Sequence, residues 1–145
     1  MAHPRTAYPA SPHAPAPMPD LSSPKERERL TPGALRAFFN IMDAWHVRAE
    51  EARALLGGAS NGRYYAMKQG RGRALDQDPL QRVSLLVGIF KALNILYSQG
   101  LADVWVHQPN DNRLFGGMTP LRAMIQGGLP AMLQVRRLLD ARRGG

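Results

Sequence analysis

"RAEEARALLGGASNGRYYAMKQG", residues 48–70, decides the fold. Its first half is rich in helix formers, and Ala49, Ala52 and Leu56 (or Leu55) recur at the spacing of a buried helical stripe. Glu50 and Glu51 lie near the positive end of the helix dipole, which accounts for an acidic pair without acid–base chemistry. Gly57-Gly58 stops this helix, Ser60 is placed to cap the next, and Gly70 ends that one. Helix, tight glycine turn and capped short helix together give the spacing of a helix-turn-helix.

Residues 59–75 contain Arg63, Lys68, Arg71 and Arg73 and no acid. On a DNA-reading hairpin such side chains neutralise phosphates and hold register, while the start of the second helix reads base edges. Tyr64 and Met67, at i and i+3, are expected in the core, which turns Asn61, Arg63 and Tyr65 towards the groove. Ser60, Asn61, Arg63, Tyr65, Lys68, Gln69, Arg71 and Arg73 are therefore the candidate DNA contacts. Gly62 and Ala66 offer little for base readout, and a hairpin that serves only as scaffold is the alternative.

Towards the N-terminus, Thr31-Pro32 reads as an N-cap followed by proline at the first helical position. Leu35, Phe38, Phe39, Met42 and Trp45 follow at core spacing. Residues 1–30 read as a disordered tail, because seven of the twelve prolines fall in the first 24 residues and little apolar surface offsets the ordering entropy. Within that tail "SPKERERL", residues 23–30, is read as a solvated lead-in, with a short leading helix as the alternative.

Towards the C-terminus, the basic loop "RGRALDQD" leads to Asp78-Pro79, which is expected to cap a long helix over 79–98. One apolar stripe is Val83, Leu86, Phe90, Leu93 and Tyr97; the other is Leu85, Ile89, Ala92 and Leu96. A helix apolar on both sides is expected between two partners. The helix-turn-helix is one, and the C-terminal segment or a second subunit is the other. A homodimer through the exposed side of Ile89 is expected. "LADVWVHQ", residues 101–108, predicts a short helix with Leu101, Val104 and Trp105 inward. "FGGMTPLRAMIQGG", residues 115–128, predicts a two-turn helix opened by Thr119-Pro120 and bracketed by glycine pairs. A last helix over 129–142 turns Met132, Val135 and Leu139 inward, and Arg136, Arg137, Arg142 and Arg143 outward. No strand pattern appears. The expected fold is all-α, with a disordered tail over 1–30, a helix-turn-helix domain over 31–75, a connecting helix over 76–98 and a small helical domain over 99–145.

The 145 residues carry a formal charge of +8 and no cysteine. That charge favours a polyanionic partner, and the missing thiols exclude disulfides and thiolate metal sites. His3 and His13 lie in the tail, and His46 and His107 lack the paired spacing of a metal site. "FGGMTP" has neither the lysine nor the preceding strand of a phosphate loop. No catalytic residue, metal or cofactor is expected. The apolar run 83–97 is shorter than a membrane-spanning helix, and a soluble, cytoplasmic protein is expected.

The order "LLGGASNGRYYAMKQG", a long helix, "VWVHQPNDNRLFGGMTPLRAMIQGG" and "VRRLLDARRGG" resembles the Xre/MbcA/ParS antitoxins over roughly residues 31–145. The most specific part is the turn at 109–110, then Phe115-Gly116-Gly117, Thr119-Pro120-Leu121, Gly127-Gly128 and the run from Leu138 to Ala141. The resemblance implies an Xre-like helix-turn-helix and a C-terminal toxin-binding domain. The implied partner is a RES-domain toxin that consumes NAD or transfers its ADP-ribose, neutralised by covering its active-site mouth. Promoter DNA of the same operon is the second implied partner, and a stand-alone helix-turn-helix regulator is the competing reading. The implied toxin contacts are Asn110, Phe115, Gly116, Gly117, Pro120, Leu121, Met124, Arg136, Arg137, Asp140, Arg142, Arg143, Gly144 and Gly145. The proline-rich tail is a departure that the family pattern does not require.

Overall fold

The computed structural model describes residues 19–144; the stretch 1–18 and Gly145 lie outside the described residues. The first helix, α1, spans Pro24–Ala44 and so begins well before Thr31-Pro32. Ser23-Pro24 provides the same cap-then-proline signal earlier in the chain, with Ser23 Oγ accepting the Glu26 N–H at 3.3 Å. Pro32 lies inside the helix on its solvent face, so the carbonyl it leaves unbonded is open to water. Thr31 is buried rather than capping. Its hydroxyl donates to the Arg27 carbonyl at 2.6 Å and accepts the Leu75 N–H at 3.0 Å, tying α1 to the loop before the long helix. "SPKERERL" is therefore helix, not lead-in.

Leu21 packs on the core and Ser23 caps α1, so this part of the presumed tail belongs to the fold. Removing residues 1–28 should lower stability by about 1–2 kcal/mol through the lost cap alone. A urea titration against a chain lacking only residues 1–18 reads this difference; coincident midpoints would show that the first turn of α1 adds nothing.

His46 closes α1 in the left-handed region at φ 52. Helix α2 spans Ala49–Leu55 and α3 spans Asn61–Lys68, with Ser60 Oγ accepting the Arg63 N–H at 3.2 Å as expected. Ala52, Leu55 and Leu56 are buried, whereas Ala49, in the first turn of α2, is exposed. Phe39 meets Tyr64 edge-on at 5.4 Å, which seats α3 against α1.

Helix α4 spans Gln77–Leu96, with Asp76 rather than Asp78-Pro79 at the N-cap position, though its side chain makes no capping bond. Proline has no N–H to lose in the first turn, so Pro79 sits there without cost. Asp78 instead turns along the helix and accepts from Arg82 Nε at 2.8 Å. At 20 residues α4 is long and apolar enough to cross a bilayer by length and composition. In this fold it is the central helix, packed against α1 on one side and the C-terminal α6 on the other. Ile89 is fully enclosed within the chain. The centres of both stripes are thus covered by the chain itself, with Leu85, Phe90, Leu96 and Tyr97 half-buried, and the expected dimer contact through Ile89 does not exist as a surface.

Helix α5, Gln99–Val104, runs into a 3-10 turn at Trp105–His107. The buried face is set one residue on from the expected one, at i, i+3 and i+4 from Ala102. Ala102, Trp105 and Val106 are buried, while Leu101 and Val104, expected inward, are 57% and 41% exposed. A second 3-10 turn at Arg113–Phe115 precedes α6, Pro120–Arg142. Thr119 caps α6 by accepting the Arg122 N–H at 3.2 Å. The helix is broken at Gly128, φ 65 and ψ −148, into arms over 120–127 and 129–142. Every regular element among the described residues is helical, and one contiguous apolar core runs through both halves.

Candidate functional site

The first candidate surface is built on α3. Tyr64 and Met67 are buried against α1, which leaves Asn61 and Tyr65 exposed, as the spacing predicts. Burial, with smaller contributions from Tyr65 and Asp43, pushes the Tyr64 phenol above its ordinary value, so it stays neutral. Ser60 is spent on its cap. Arg63 is not free to read bases: it donates to the Arg73 carbonyl at 3.1 Å and lies over Gly72, where a Cβ would come within 2.8 Å of its guanidinium. Arg63 is the strap that holds the exit loop on α3.

Lys68 at the end of α3 and Gln69, Arg71 and Arg73 beyond it are exposed, and Arg71 donates to Gln69. Lys68, Arg71 and Arg73 share a groove of about 450 Å³ with Arg36 of α1, and no acid lines it. Arg36 was not among the expected contacts. No local signal marks it, because its place beside Lys68 depends on how α1 packs on α3.

The second candidate surface lies in the C-terminal half. Asn110 Oδ1 accepts the Asn112 N–H at 2.9 Å, and Asn112 Oδ1 accepts the Leu114 N–H at 3.0 Å. These linked side-chain turns steer the chain into the 3-10 turn and present Phe115 to the core. Phe115, Pro120, Leu121 and Met124 are all buried, so they hold the surface up from beneath. Gly116 and Gly117 form the exposed turn above them.

The terminal arginines differ from the expected outward fan. Arg136 bonds both oxygens of Asp140, at 3.1 and 3.0 Å, and lies across Gly88 of α4, which leaves no room for a side chain there. Arg143 approaches the same carboxylate at 3.6 Å, and Arg142 donates to the Tyr97 hydroxyl at 3.3 Å. Arg137 is exposed and makes no ion pair among the described residues. Gly144 is exposed; Gly145 lies outside the described residues. Arg137, Arg142 and Arg143 are thus the exposed cations at this end of α6.

Arg82 joins the two halves. Its side chain is only 17% exposed, and its guanidinium lies within 3.2 Å of a Cβ position on Gly57 and 3.5 Å of one on Gly128. It therefore touches the turn of the helix-turn-helix and the kink of α6 at once. His107 Nε2 bonds the Trp45 carbonyl and makes a second tie between the halves. Among the described residues no group of His, Asp and Glu is arranged to hold a metal ion.

Comparison with known proteins divides the chain within α4. Residues 26–88 match the antitoxin Xre-like helix-turn-helix domain, and residues 92–145 match the antitoxin Xre/MbcA/ParS C-terminal toxin-binding domain. The uncharacterized protein y4oB of Sinorhizobium fredii (strain NBRC 101917 / NGR234) is 38% identical over 125 residues, covering 86% of this chain and 95% of that protein. No solved structure matches.

Proposed function

The chain belongs to the Xre/MbcA/ParS antitoxin family, and from that premise we propose that it neutralises a RES-domain toxin and represses its own promoter. It acts by binding rather than by catalysis, in the cytoplasm, where DNA and an NAD-consuming toxin are both found. The observation that carries the reading is the pairing of two matched domains on one continuous core.

On the toxin side, the C-terminal end of α6 covers the active-site mouth and presents Arg137, Arg142 and Arg143 to it. Guanidinium groups suit carboxylates, or the phosphates of a dinucleotide, in such a cleft. On the DNA side, Lys68, Arg71 and Arg73 neutralise phosphates, while Asn61 and Tyr65 face the groove. A homodimer remains part of the proposal, now through the exposed apolar side chains Ile95, Leu101 and Val104 instead of Ile89.

The test is co-expression with a RES-domain toxin. Cells should keep their NAD and grow with the wild-type antitoxin and lose both protections with Arg137, Arg142 and Arg143 changed to Glu. Toxicity unrelieved by the wild-type chain would sink the antitoxin reading for that partner. In parallel, Lys68, Arg71 and Arg73 changed together to Ala should flatten the salt dependence of promoter binding by about 0.9 per lost phosphate contact. Toxin protection should be unchanged. Wild-type protein that prefers its promoter no more than random duplex would leave the helix-turn-helix as scaffold. Light scattering on the same preparations reads the dimer.

A further inference from the structure

We propose that the cleft at the kink of α6 is the socket for an apolar anchor side chain of the toxin. The inference rests on the antitoxin reading above and names a contact which that reading leaves open. The cleft holds about 360 Å³. Leu114 and Met118 line it from the approach to α6, Ala123 and Gln126 from the first arm, and Ala131 and Gln134 from the second.

The fold makes this hollow deliberately shallow-walled and small-sided. Gly128 breaks the helix, so the two arms diverge instead of continuing along one axis. Gly127 lies opposite Ala131, and a Cβ on Gly127 would fall 2.6 Å from the Ala131 Cβ. Two minimal residues at the bend therefore leave space that larger ones would fill.

The chemistry selects the occupant. No charged residue lines the cleft, although the chain carries a net charge of +8. A charged group seated there would lose its hydration without a counter-charge, whereas an apolar side chain would lose only contact with water. Desolvated sockets of this kind are where interface hot spots concentrate. Every lining residue falls within 92–145, the segment that matches a toxin-binding domain.

Gln126 and Gln134 are exposed on the rim, so substitutions there leave the core intact. The probe is a RES-domain toxin that the wild-type chain neutralises, titrated by calorimetry into the full-length antitoxin. Gln126→Glu with Gln134→Glu should weaken binding by at least about 30-fold, the loss expected of one hot spot. Gln126→Lys with Gln134→Lys should weaken it as well, because either sign of charge is unwelcome at an apolar socket. Gln126→Met with Gln134→Met should bind at least as tightly as wild type, and circular dichroism should be the same for all. If wild type binds and both charged pairs bind equally well, the socket is overturned while the antitoxin reading stands. Loss with Glu but not with Lys would trace to long-range charge and also overturns it. A change in light-scattering mass with unchanged toxin affinity assigns the cleft to a second copy, which overturns it too. If the wild-type chain does not bind the toxin, the antitoxin reading for that partner fails and the socket falls with it.

Discussion

Phe115→Ala should lower the free energy of unfolding by about 3–5 kcal/mol, the usual cost of removing a buried aromatic ring. Phe115 is fully enclosed and meets Trp105 edge-on, with ring centroids 5.9 Å apart. Its removal leaves a cavity beneath the turn at Gly116 and Gly117 and strands the face of Trp105. A domain of this size has only about 5–15 kcal/mol in total, so the variant should be close to unfolding at growth temperature. Toxin protection should disappear with it, through loss of fold rather than loss of contact. Denaturant titration separates the two: a residue that touched the toxin directly would leave the midpoint unchanged on truncation, and an unchanged midpoint would overturn this account of Phe115.

Gly128→Ala should cost about 1–3 kcal/mol and disturb both functional halves. At φ 65 and ψ −148, Gly128 occupies backbone space that side-chain-bearing residues essentially never enter. The chain cannot escape by straightening into one helix. Pro130 would then lose a bond and press its ring against the carbonyl of Gln126, and it disfavours helix at Leu129 before it. A new Cβ would meet the Arg82 guanidinium only at van der Waals distance, 3.5 Å, but a backbone displaced at the kink moves this side chain, which reaches to Gly57 in the helix-turn-helix. Promoter binding should therefore weaken alongside toxin binding, though no DNA-facing residue is changed. A variant with wild-type stability would show that the kink relaxes freely, and the bend would lose its role in shaping the C-terminal surface.

The sequence alone was enough for much of what rests on local periodicity and punctuation. Glycine pairs at 57–58 and 127–128, together with Ser60 and Thr119, mark real helix boundaries, because caps and breakers act through backbone geometry within a few residues. The buried positions Leu35, Phe38, Met42, Tyr64, Met67, Met132, Val135 and Leu139 followed from 3.6-residue spacing. The quoted signature from Phe115 to Ala141 was sufficient for the family.

What needed the tertiary structure were the matters in which distant segments meet. Two cap-then-proline signals compete for the start of α1, and the earlier one prevails because the helix beyond it packs Leu30 and Ala34 on the core. Local sequence cannot report that packing. The double stripe of α4 fits a dimer seam and a central helix equally well, and only the positions of α1 and α6 show that Ile89 is enclosed. The packing of α5 on its neighbours buries Ala102, Trp105 and Val106 and leaves Leu101 and Val104 outward, because two helical faces one residue apart were both compatible with the pattern. Side-chain roles diverged most. Arg63 and Arg136 read as surface cations, yet each lies across a glycine of a neighbouring segment, Gly72 and Gly88. Arg36 and Arg82 gained their places from contacts between elements. Long, charged side chains reach several ångströms from their own backbone, so their partners are set by the packing of helices rather than by spacing along one.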